Sequence, residues 1–358
     1  MKPLPPPGAM RTLLRFSVNV VIVLVWGFAV VGLRYTAGIP PWIVLLAFVA
    51  VPLVYLRRRR STGMMALITL LALGLFAAFF FSLKPTNNRI WSFDQARLPR
   101  IVFNDNLVTI NDFRDFTWYS ATEADKVWTN RTYNLDTLER IDVVVVPLGG
   151  ALIAHTMLSF GFANGDYLCV SVEARREAGE NYGLIPGLFR QFELMYVLGS
   201  ERDLFGVRAV HRDSELYVYP TRFTPEFARA LLTGLLHDAD SLREHPAFYL
   251  TIQDNCTTRL ARHISRIAGQ PFALHYEIIF SGLVGRRLYT LGQMDTDLTY
   301  EEAERRFNLT QQVRWCIDKP HFSQCIRSEQ AFLDTHSGDQ PAGGRKPGVG
   351  SQETGEVE

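Results

Sequence analysis

Three apolar runs before residue 84 constrain the fold of this chain more than any other feature of its sequence. Phe16 to Leu33 and Met64 to Leu83 are uncharged runs of about 18 and 20 residues, and Trp42 to Leu56 has about 15 and includes a proline. A transmembrane helix needs about 20 apolar residues, within a range of roughly 17 to 25. The first and third runs are therefore predicted spans, and the second is either a short span or a re-entrant hairpin.

The basic residues around these runs predict their orientation. Lys2, Arg11 and Arg15 precede the first run, and four consecutive arginines, Arg57 to Arg60, separate the second from the third. Basic residues flanking spans concentrate on the cytoplasmic side. Three spans put both clusters in the cytoplasm, whereas two spans would leave the four arginines outside. We therefore predict three transmembrane helices in residues 1–83, with the N-terminus cytoplasmic.

The rest of the chain is predicted to lie on the far side of that membrane, which in a Gram-negative bacterium is the periplasmic side of the inner membrane. Residues 84–99 are interpreted as a linker and residues 100–335 as one domain, which is long enough for a core of its own. Residues 336–358 are rich in Gly, Pro, Glu and Lys, so this tail is predicted to be disordered.

Charge and motif content exclude several classes of function for the domain. The formal net charge of +1 argues against nucleic acid as a partner, because phosphate binding needs a basic surplus. The eight histidines and four cysteines show no metal-binding spacing, and no nucleotide-binding loop is present. No cofactor is therefore predicted. Because the predicted spans hold the domain at a membrane, the predicted partner is membrane lipid.

After residue 99, some segments show the apolar spacing of helices and others the apolar pattern of strands. This mixture predicts an α+β domain. The β-branched run Ile141 to Pro147 indicates a buried strand, and Pro225 to His237, with Thr224 as N-cap, indicates an amphipathic helix. A helical stretch is also expected within Leu184 to Leu198, carrying Arg190 and Glu193, and two short strands are expected within Arg208 to Pro220.

A cysteine stands at the predicted start of a second amphipathic helix. Leu260, Ile264 and Ile267 recur with helical spacing after Cys256, and Asp254 or Asn255 can cap the helix. The unpaired N–H groups and the macrodipole at a helix start favour a thiolate, which makes Cys256 a candidate nucleophile. The alternative is that Cys256 packs the helix start as a small buried residue.

A predicted hairpin carries the candidate base. Ala151 to Phe162 and Asp166 to Glu173 read as two strands joined at Asn164-Gly165. A two-residue turn would place His155 opposite Ala174. A three-residue turn with a left-handed glycine would place His155 directly opposite Glu173, with Cβ atoms about 5 Å apart. The sequence leaves both registers open.

We predict a catalytic set of Cys256, His155 and Glu173. A thiol needs a base within hydrogen-bonding reach, and the base needs a third group to fix its tautomer. Each residue also has a structural alternative: His155 can be a satisfied core histidine, and Glu173 can pair with Arg175 or Arg176.

The other three cysteines are predicted to have structural roles. Cys169 lies on a predicted strand and is expected in the core. Cys316 and Cys325 form a disulfide if the compartment is oxidising, and both states remain open.

Three blocks of sequence resemble the Lnb N-terminal periplasmic domain family, over about residues 99 to 287. They read AHTMLSFGFANGDYLCVSVEARREAGENY, GLFRQFELMYVLGSERDL and FYLTIQDNCTTRLARHI. The resemblance implies a circularly permuted papain-like domain with an antiparallel sheet. Carried over by position, it implies Cys256 as nucleophile and His155 as base; Glu173 as the third member rests on the hairpin argument.

The resemblance also implies an activity. Members are linked to N-acylation of bacterial lipoproteins, so the expected function is a membrane-anchored thiol acyltransferase that acts on lipid or lipoprotein acyl groups through a cysteine thioester. The alternatives are a papain-like lipase, amidase or peptidase, and a non-catalytic binding protein of the envelope.

Overall fold

The computed structural model describes residues 7–336 except positions 37, 41, 44, 45, 47–61 and 274. Most of the predicted span Trp42 to Leu56 and nearly all of the predicted disordered tail lie outside the described residues. Helix α1 is Pro7–Thr36 and helix α2 is Thr62–Ser82, and the two pack against each other. By length and apolarity, none of the helices in the described ranges qualifies as a membrane span. The predicted three-span anchor thus stays a prediction.

An eight-stranded mixed sheet forms the centre of the domain. Its strand order is β1-β2-β9-β8-β7-β6-β10, with β5 paired to β2. The pairs are antiparallel except β2 with β9, and β3 and β4 form a separate small hairpin. The strands are β1 Arg100–Asn104, β2 Leu107–Arg114, β3 Thr117–Trp118, β4 Ala124–Asp125, β5 Trp128–Asn134, β6 Leu138–Pro147, β7 Ala154–Phe162, β8 Tyr167–Arg175, β9 Glu193–Gly199 and β10 Tyr217–Pro220.

Helices cover both faces of this sheet, which confirms the α+β prediction. In chain order they are α3 Leu184–Leu188, α4 Glu201–Gly206, α5 Pro225–Ser241, α6 Cys256–Ile267, α7 Tyr276–Ile279, α8 Val284–Thr290, α9 Tyr300–Phe307, α10 Thr310–Cys316, α11 Phe322–Cys325 and α12 Glu329–His336. A π-helical turn, Val207–His211, follows α4 directly.

Two hydrophobic cores result, one on each face. Strand β6 contributes to both, because successive side chains of a strand point to opposite faces. Val143 and Val145 join the core beneath α5 and α6, whereas Val144 and Val146 join the core beneath α10 to α12. The unbroken apolar run in the sequence is therefore a strand buried on both sides, as predicted.

Two predicted elements are wrong. The segment Leu184 to Leu198 is a short helix, α3, followed by β9, whose seven residues are all buried in the sheet. Arg190 adopts a positive φ of 58°, which ends the helical path. In the second case, Arg208 to His211 belongs to the π-helical turn, and the segment holds one strand, β10, instead of two.

Residues 84–99, which we expected to form a linker, pack along β8. They contain a 3₁₀ turn at Phe93–Gln95. The Gln95 side chain donates to the carbonyl oxygen of Ala174 at 3.1 Å and accepts from the backbone N–H of Arg176 at 2.7 Å. This segment is therefore part of the folded domain.

The two N-terminal helices contact the domain just after α3. Phe189 is buried against Phe76 and Phe28, with ring centroids of Phe28 and Phe189 4.9 Å apart. The guanidinium of Arg190 donates to the carbonyl oxygen of Phe80 at 2.9 Å. The domain thus packs against the C-terminal half of α2.

Candidate functional site

The hairpin of β7 and β8 has the register that brings His155 and Glu173 together. Its pairs run from Gly161–Tyr167 to Met157–Ser171. Gly165 has a φ of 82° and donates to the carbonyl oxygen of Phe162, so the turn is the three-residue form with a left-handed glycine. The ladder ends at Met157–Ser171, two residues before His155.

Beyond the end of this ladder, side chains of the two strands interact directly. Nε2 of His155 lies 2.7 Å from Oγ of Ser171 and 3.3 Å from Oε1 of Glu173. Ser171 donates its hydroxyl proton to the same Glu173 oxygen at 2.6 Å. Because that hydroxyl has only one proton, its oxygen accepts from His155, which assigns the proton to Nε2. Nδ1 is then the ring nitrogen free to accept a proton.

Glu173 is held by an arginine as well, but not by either neighbour in the sequence. Arg208, from the π-helical turn, donates to Oε1 of Glu173 at 2.7 Å and to the carbonyl oxygen of Leu204 at 2.8 Å. Burial would raise the pKa of Glu173, but His155 and Arg208 outweigh it and hold the pKa well below its usual value. Glu173 is therefore a carboxylate at neutral pH.

Cys256 is the first residue of helix α6, and Asn255 is its N-cap. The Asn255 side chain accepts from the N–H of Thr258, and the Thr258 hydroxyl accepts from the N–H of Asn255. This reciprocal pair is a capping box. The N–H groups of Cys256 and Thr257 have no acceptor within the helix because they belong to its first turn.

His155 and Cys256 line the same cavity and interact electrostatically. Burial would lower the pKa of His155, but Glu173 and Cys256 together raise it to about 9. Burial would raise the pKa of Cys256, yet His155 and the backbone N–H of Thr156 lower it below its usual value. Both shifts favour a thiolate beside an imidazolium, which is the reactive form of such a pair.

Contacts on both sides of His155 hold the histidine strand in place, and one of them joins it to the cysteine helix. The hydroxyls of Thr156 and Thr257 are 3.1 Å apart, and Oγ1 of Thr257 lies 3.8 Å from the Cys256 sulfur. At the start of β7, the Ser281 hydroxyl accepts from the N–H of Ala154 at 2.8 Å and donates to its carbonyl oxygen at 2.6 Å. Residues on both sides of His155 are thereby fixed.

Apolar side chains surround the mouth of the cavity. Leu148, Leu184 and Ile279 line it and are each about two-fifths exposed, at 44%, 42% and 39%. Two tyrosines also line the cavity, and their hydroxyls, on Tyr182 and the buried Tyr249, lie 3.4 Å apart. Burial, followed by the charge of Cys256, raises the pKa of Tyr249 well above its usual value. A neutral phenol is therefore close to the thiol.

Sequence reasoning did not identify the arginines of the cavity. Its lining includes four arginines, Arg114, Arg176, Arg208 and Arg212, and two carboxylates, Asp94 and Glu173. No motif marks the whole set, because its members come from separate elements that only the sheet and the π-helical turn bring together.

The remaining cysteines do not line the cavity. Cys169 is fully buried, and burial raises the pKa of its thiol. Cys316 and Cys325 form a disulfide that joins α10 to α11. Within the described part of the chain, no group of three or more His, Cys, Asp or Glu side chains is arranged to hold a metal ion.

The family comparison covers this site. The model of the Lnb N-terminal periplasmic domain matches residues 124–282, a little under half of the 358 residues. The match includes the histidine strand, the π-helical turn and the cysteine helix, and its name fits a periplasmic domain of an envelope protein. No curated protein and no solved structure matches the chain significantly. The resemblance seen in the sequence is confirmed over residues 124–282, which match the model of this domain.

Proposed function

We propose that this protein is a membrane-anchored thiol acyltransferase with Cys256 as nucleophile, His155 as base and Glu173 as the group that orients the base. The observation that supports this most strongly is that the Cys256 thiol lines the same cavity as an imidazole whose Nε2 lies 3.3 Å from a Glu173 oxygen. An activated nucleophile needs a base and a third group in this arrangement. The circularly permuted papain-like fold belongs to the same proposal.

The first half of the reaction forms an acyl-enzyme. The Cys256 thiolate attacks the carbonyl carbon of a lipid ester, so a C–S bond forms and the ester C–O bond breaks. The imidazolium of His155 gives its proton to the departing alkoxide. The N–H groups at the start of α6 stabilise the oxyanion of the tetrahedral intermediate.

The second half transfers the acyl group. An amine, such as the N-terminus of a lipoprotein, attacks the thioester, so a C–N bond forms and the C–S bond breaks. Neutral His155 takes the proton of the amine, which restores the thiolate–imidazolium pair. The apolar mouth of the cavity suits this substrate, since Leu148, Leu184 and Ile279 would contact acyl chain rather than water.

Membrane anchoring is part of the proposal. Leu24 and Phe28 on α1, and Leu70 and Leu75 on α2, are more than half exposed, at 66%, 54%, 65% and 74%. Large apolar side chains on the outer surface of a helix pair mark contact with lipid or another apolar partner. We infer that residues 1–83 cross the inner membrane with the N-terminus in the cytoplasm. The disulfide between Cys316 and Cys325 supports a domain in the oxidising periplasm.

Turnover of a lipid ester by the full chain in detergent micelles, with and without a primary amine acceptor, tests the proposed function. We expect N-acylated amine as the main product, identified by its mass. Cys256→Ala should abolish turnover, and His155→Ala should lower it about a hundredfold to ten-thousandfold. Cys169→Ala, which removes the other free thiol, is the matched control and should retain activity.

Two outcomes would change this assignment. Full turnover by folded Cys256→Ala would contradict a thiol mechanism. Release of free fatty acid at the same rate whether or not the amine is present would identify a lipase built on the same site.

A further inference from the structure

Tyr249 is buried in the wall of the cavity, and the proposed proton transfers do not use it. Among the described residues its hydroxyl has one hydrogen-bond partner, the Tyr182 hydroxyl, at a distance of 3.4 Å. Hydrogen bonds between two oxygens are normally about 2.5–3.0 Å long, so this contact is weak. The Tyr249 hydroxyl is therefore able to donate to another acceptor in the cavity.

The backbone fixes Tyr249 relative to the candidate nucleophile. Its N–H donates to the carbonyl oxygen of Phe192 at 2.9 Å, and the preceding residue pairs antiparallel with the start of β9. The chain then turns back, because Leu250 and Asp254 exchange two backbone hydrogen bonds of 3.0 and 2.9 Å. This closed turn leads into helix α6, so it links the position of the phenol to that of the Cys256 thiol.

The Tyr249 hydroxyl keeps its proton while the thiol is ionised. Burial, followed by the negative charge of Cys256, raises the pKa of Tyr249 well above its usual value. A protonated phenol remains a hydrogen-bond donor. It can therefore stabilise negative charge that develops next to the sulfur.

The proposed reaction produces such a charge. Attack by the thiolate on an ester moves negative charge from the sulfur to the carbonyl oxygen. Donors already fixed around that oxygen lower the barrier, because they stabilise the transition state more than the substrate. The start of α6 supplies backbone donors, and Tyr249 supplies a side-chain donor in the same cavity.

We propose that the Tyr249 hydroxyl donates a hydrogen bond to the oxyanion of the tetrahedral intermediate, together with the N–H groups at the start of α6. This inference rests on the proposed acyl transfer by Cys256 and adds a catalytic residue to it. Tyr249 gives up no proton: the C–S bond forms, the π electrons of the carbonyl move to its oxygen, and they return when the ester C–O bond breaks. The same donor acts in the second half of the reaction, which passes through a tetrahedral intermediate on the same carbon.

Tyr249→Phe, which keeps the ring and removes only the hydroxyl, tests this with two measurements on the full chain. The kcat for lipid ester and amine should fall about a hundredfold to a thousandfold, the usual effect of losing an oxyanion donor. Alkylation of Cys256 by iodoacetamide should be at least as fast as in the wild-type protein, because displacement of iodide from a saturated carbon forms no oxyanion. An equal fall in both rates would show that Tyr249 only shapes the site, and the inference would fail.

Tyr133→Phe is the matched control. Tyr133 is also a buried tyrosine, it does not line the cavity, and its hydroxyl makes one long hydrogen bond, of 3.4 Å, to the carbonyl oxygen of Tyr167. Turnover and alkylation in this variant should both equal those of the wild-type protein. Full turnover in Tyr249→Phe, or an equal loss of turnover in Tyr133→Phe, would overturn the inference.

Reversible inhibition by an aldehyde separates this inference from the proposed function. The Cys256 thiolate adds to the carbonyl carbon of decanal, so a C–S bond forms and the aldehyde oxygen takes the place of the oxyanion. The concentration of decanal that half-protects Cys256 from iodoacetamide should rise about tenfold or more in Tyr249→Phe, as expected for the loss of a hydrogen bond to a charged group, and should not change in Tyr133→Phe. Equal protection of the wild-type protein and Tyr249→Phe defeats this inference alone, whereas turnover by Cys256→Ala defeats the proposed function.

Discussion

At the scale of single residues, the site consists of groups that shift one another's pKa. Glu173 supports the positive charge of His155, and that charge supports the Cys256 thiolate. Arg208 keeps Glu173 ionised and in place, with Ser171 bonded to the same carboxylate oxygen. The sequence identified three of these five residues. It could not identify Ser171 or Arg208, since a serine on a strand and an arginine on a turn carry no signal of their own.

The pH dependence of kcat/KM follows from this coupling. Activity needs thiolate and imidazolium together, so it should be lost on the alkaline side as His155 deprotonates, near pH 9. The Glu173 carboxylate raises the pKa of His155, so Glu173→Gln should move this alkaline limb to lower pH by about one unit or more. Glu177→Gln, at a carboxylate outside the cavity lining, is the control and should leave the limb in place. An unshifted limb in Glu173→Gln would show that Glu173 does not act on His155.

At the scale of secondary-structure elements, the site forms where the β7–β8 ladder stops. Hydrogen bonding between the strands ends at Met157–Ser171, and the start of helix α6 meets the histidine strand just beyond it, through the Thr156–Thr257 contact. The sequence predicted the capped helix start and both strands, because caps and alternating patterns are local signals. The register stayed open, since it depends on the turn that Gly165 adopts.

Ser281 should matter for activity through the start of β7. Its hydroxyl exchanges two hydrogen bonds with Ala154, the residue before His155. Ser281→Ala removes both, and we expect kcat to fall about tenfold with a loss of about 1–2 kcal/mol in the free energy of unfolding. Steady-state kinetics and urea denaturation measure the two effects.

Ser241→Ala provides the comparison for this prediction. The Ser241 hydroxyl also donates to a backbone carbonyl, that of Asp238, but on the exposed end of α5. It should leave kcat unchanged. A Ser281→Ala protein with wild-type kcat would show that β7 positions His155 without this anchor.

At the scale of the whole molecule, one short segment of the chain contacts both the cavity and the N-terminal helices. Helix α3 supplies Leu184 to the cavity mouth, and Phe189, directly after α3, packs on Phe76 of α2. A short segment thus connects the candidate acyl site to the proposed membrane anchor. In such an arrangement a lipid substrate would enter the cavity from the bilayer surface.

Features that depend on local sequence patterns were predicted well, whereas contacts between distant segments of the chain were not. The α+β class, the two-sided burial of β6 and the helix α5 all follow from local patterns. Strand β9 was mistaken for helix because a central strand buried on both faces has no alternating pattern to distinguish it from a buried helix. The packing of residues 84–99 along β8 was missed because Gln95 makes its hydrogen bonds to residues about 80 positions away.

The reactivity of Cys256 toward iodoacetamide at pH 7 tests the central claim most directly, because it needs no knowledge of the substrate. We expect Cys256 in the folded full chain to be alkylated faster than in the denatured chain, and more slowly once His155 is replaced by alanine. Cys169, buried in the same domain, should stay protected until unfolding and serves as the internal reference. Alkylation of Cys256 that is no faster in the folded protein than in the denatured one would contradict an activated thiol at this site.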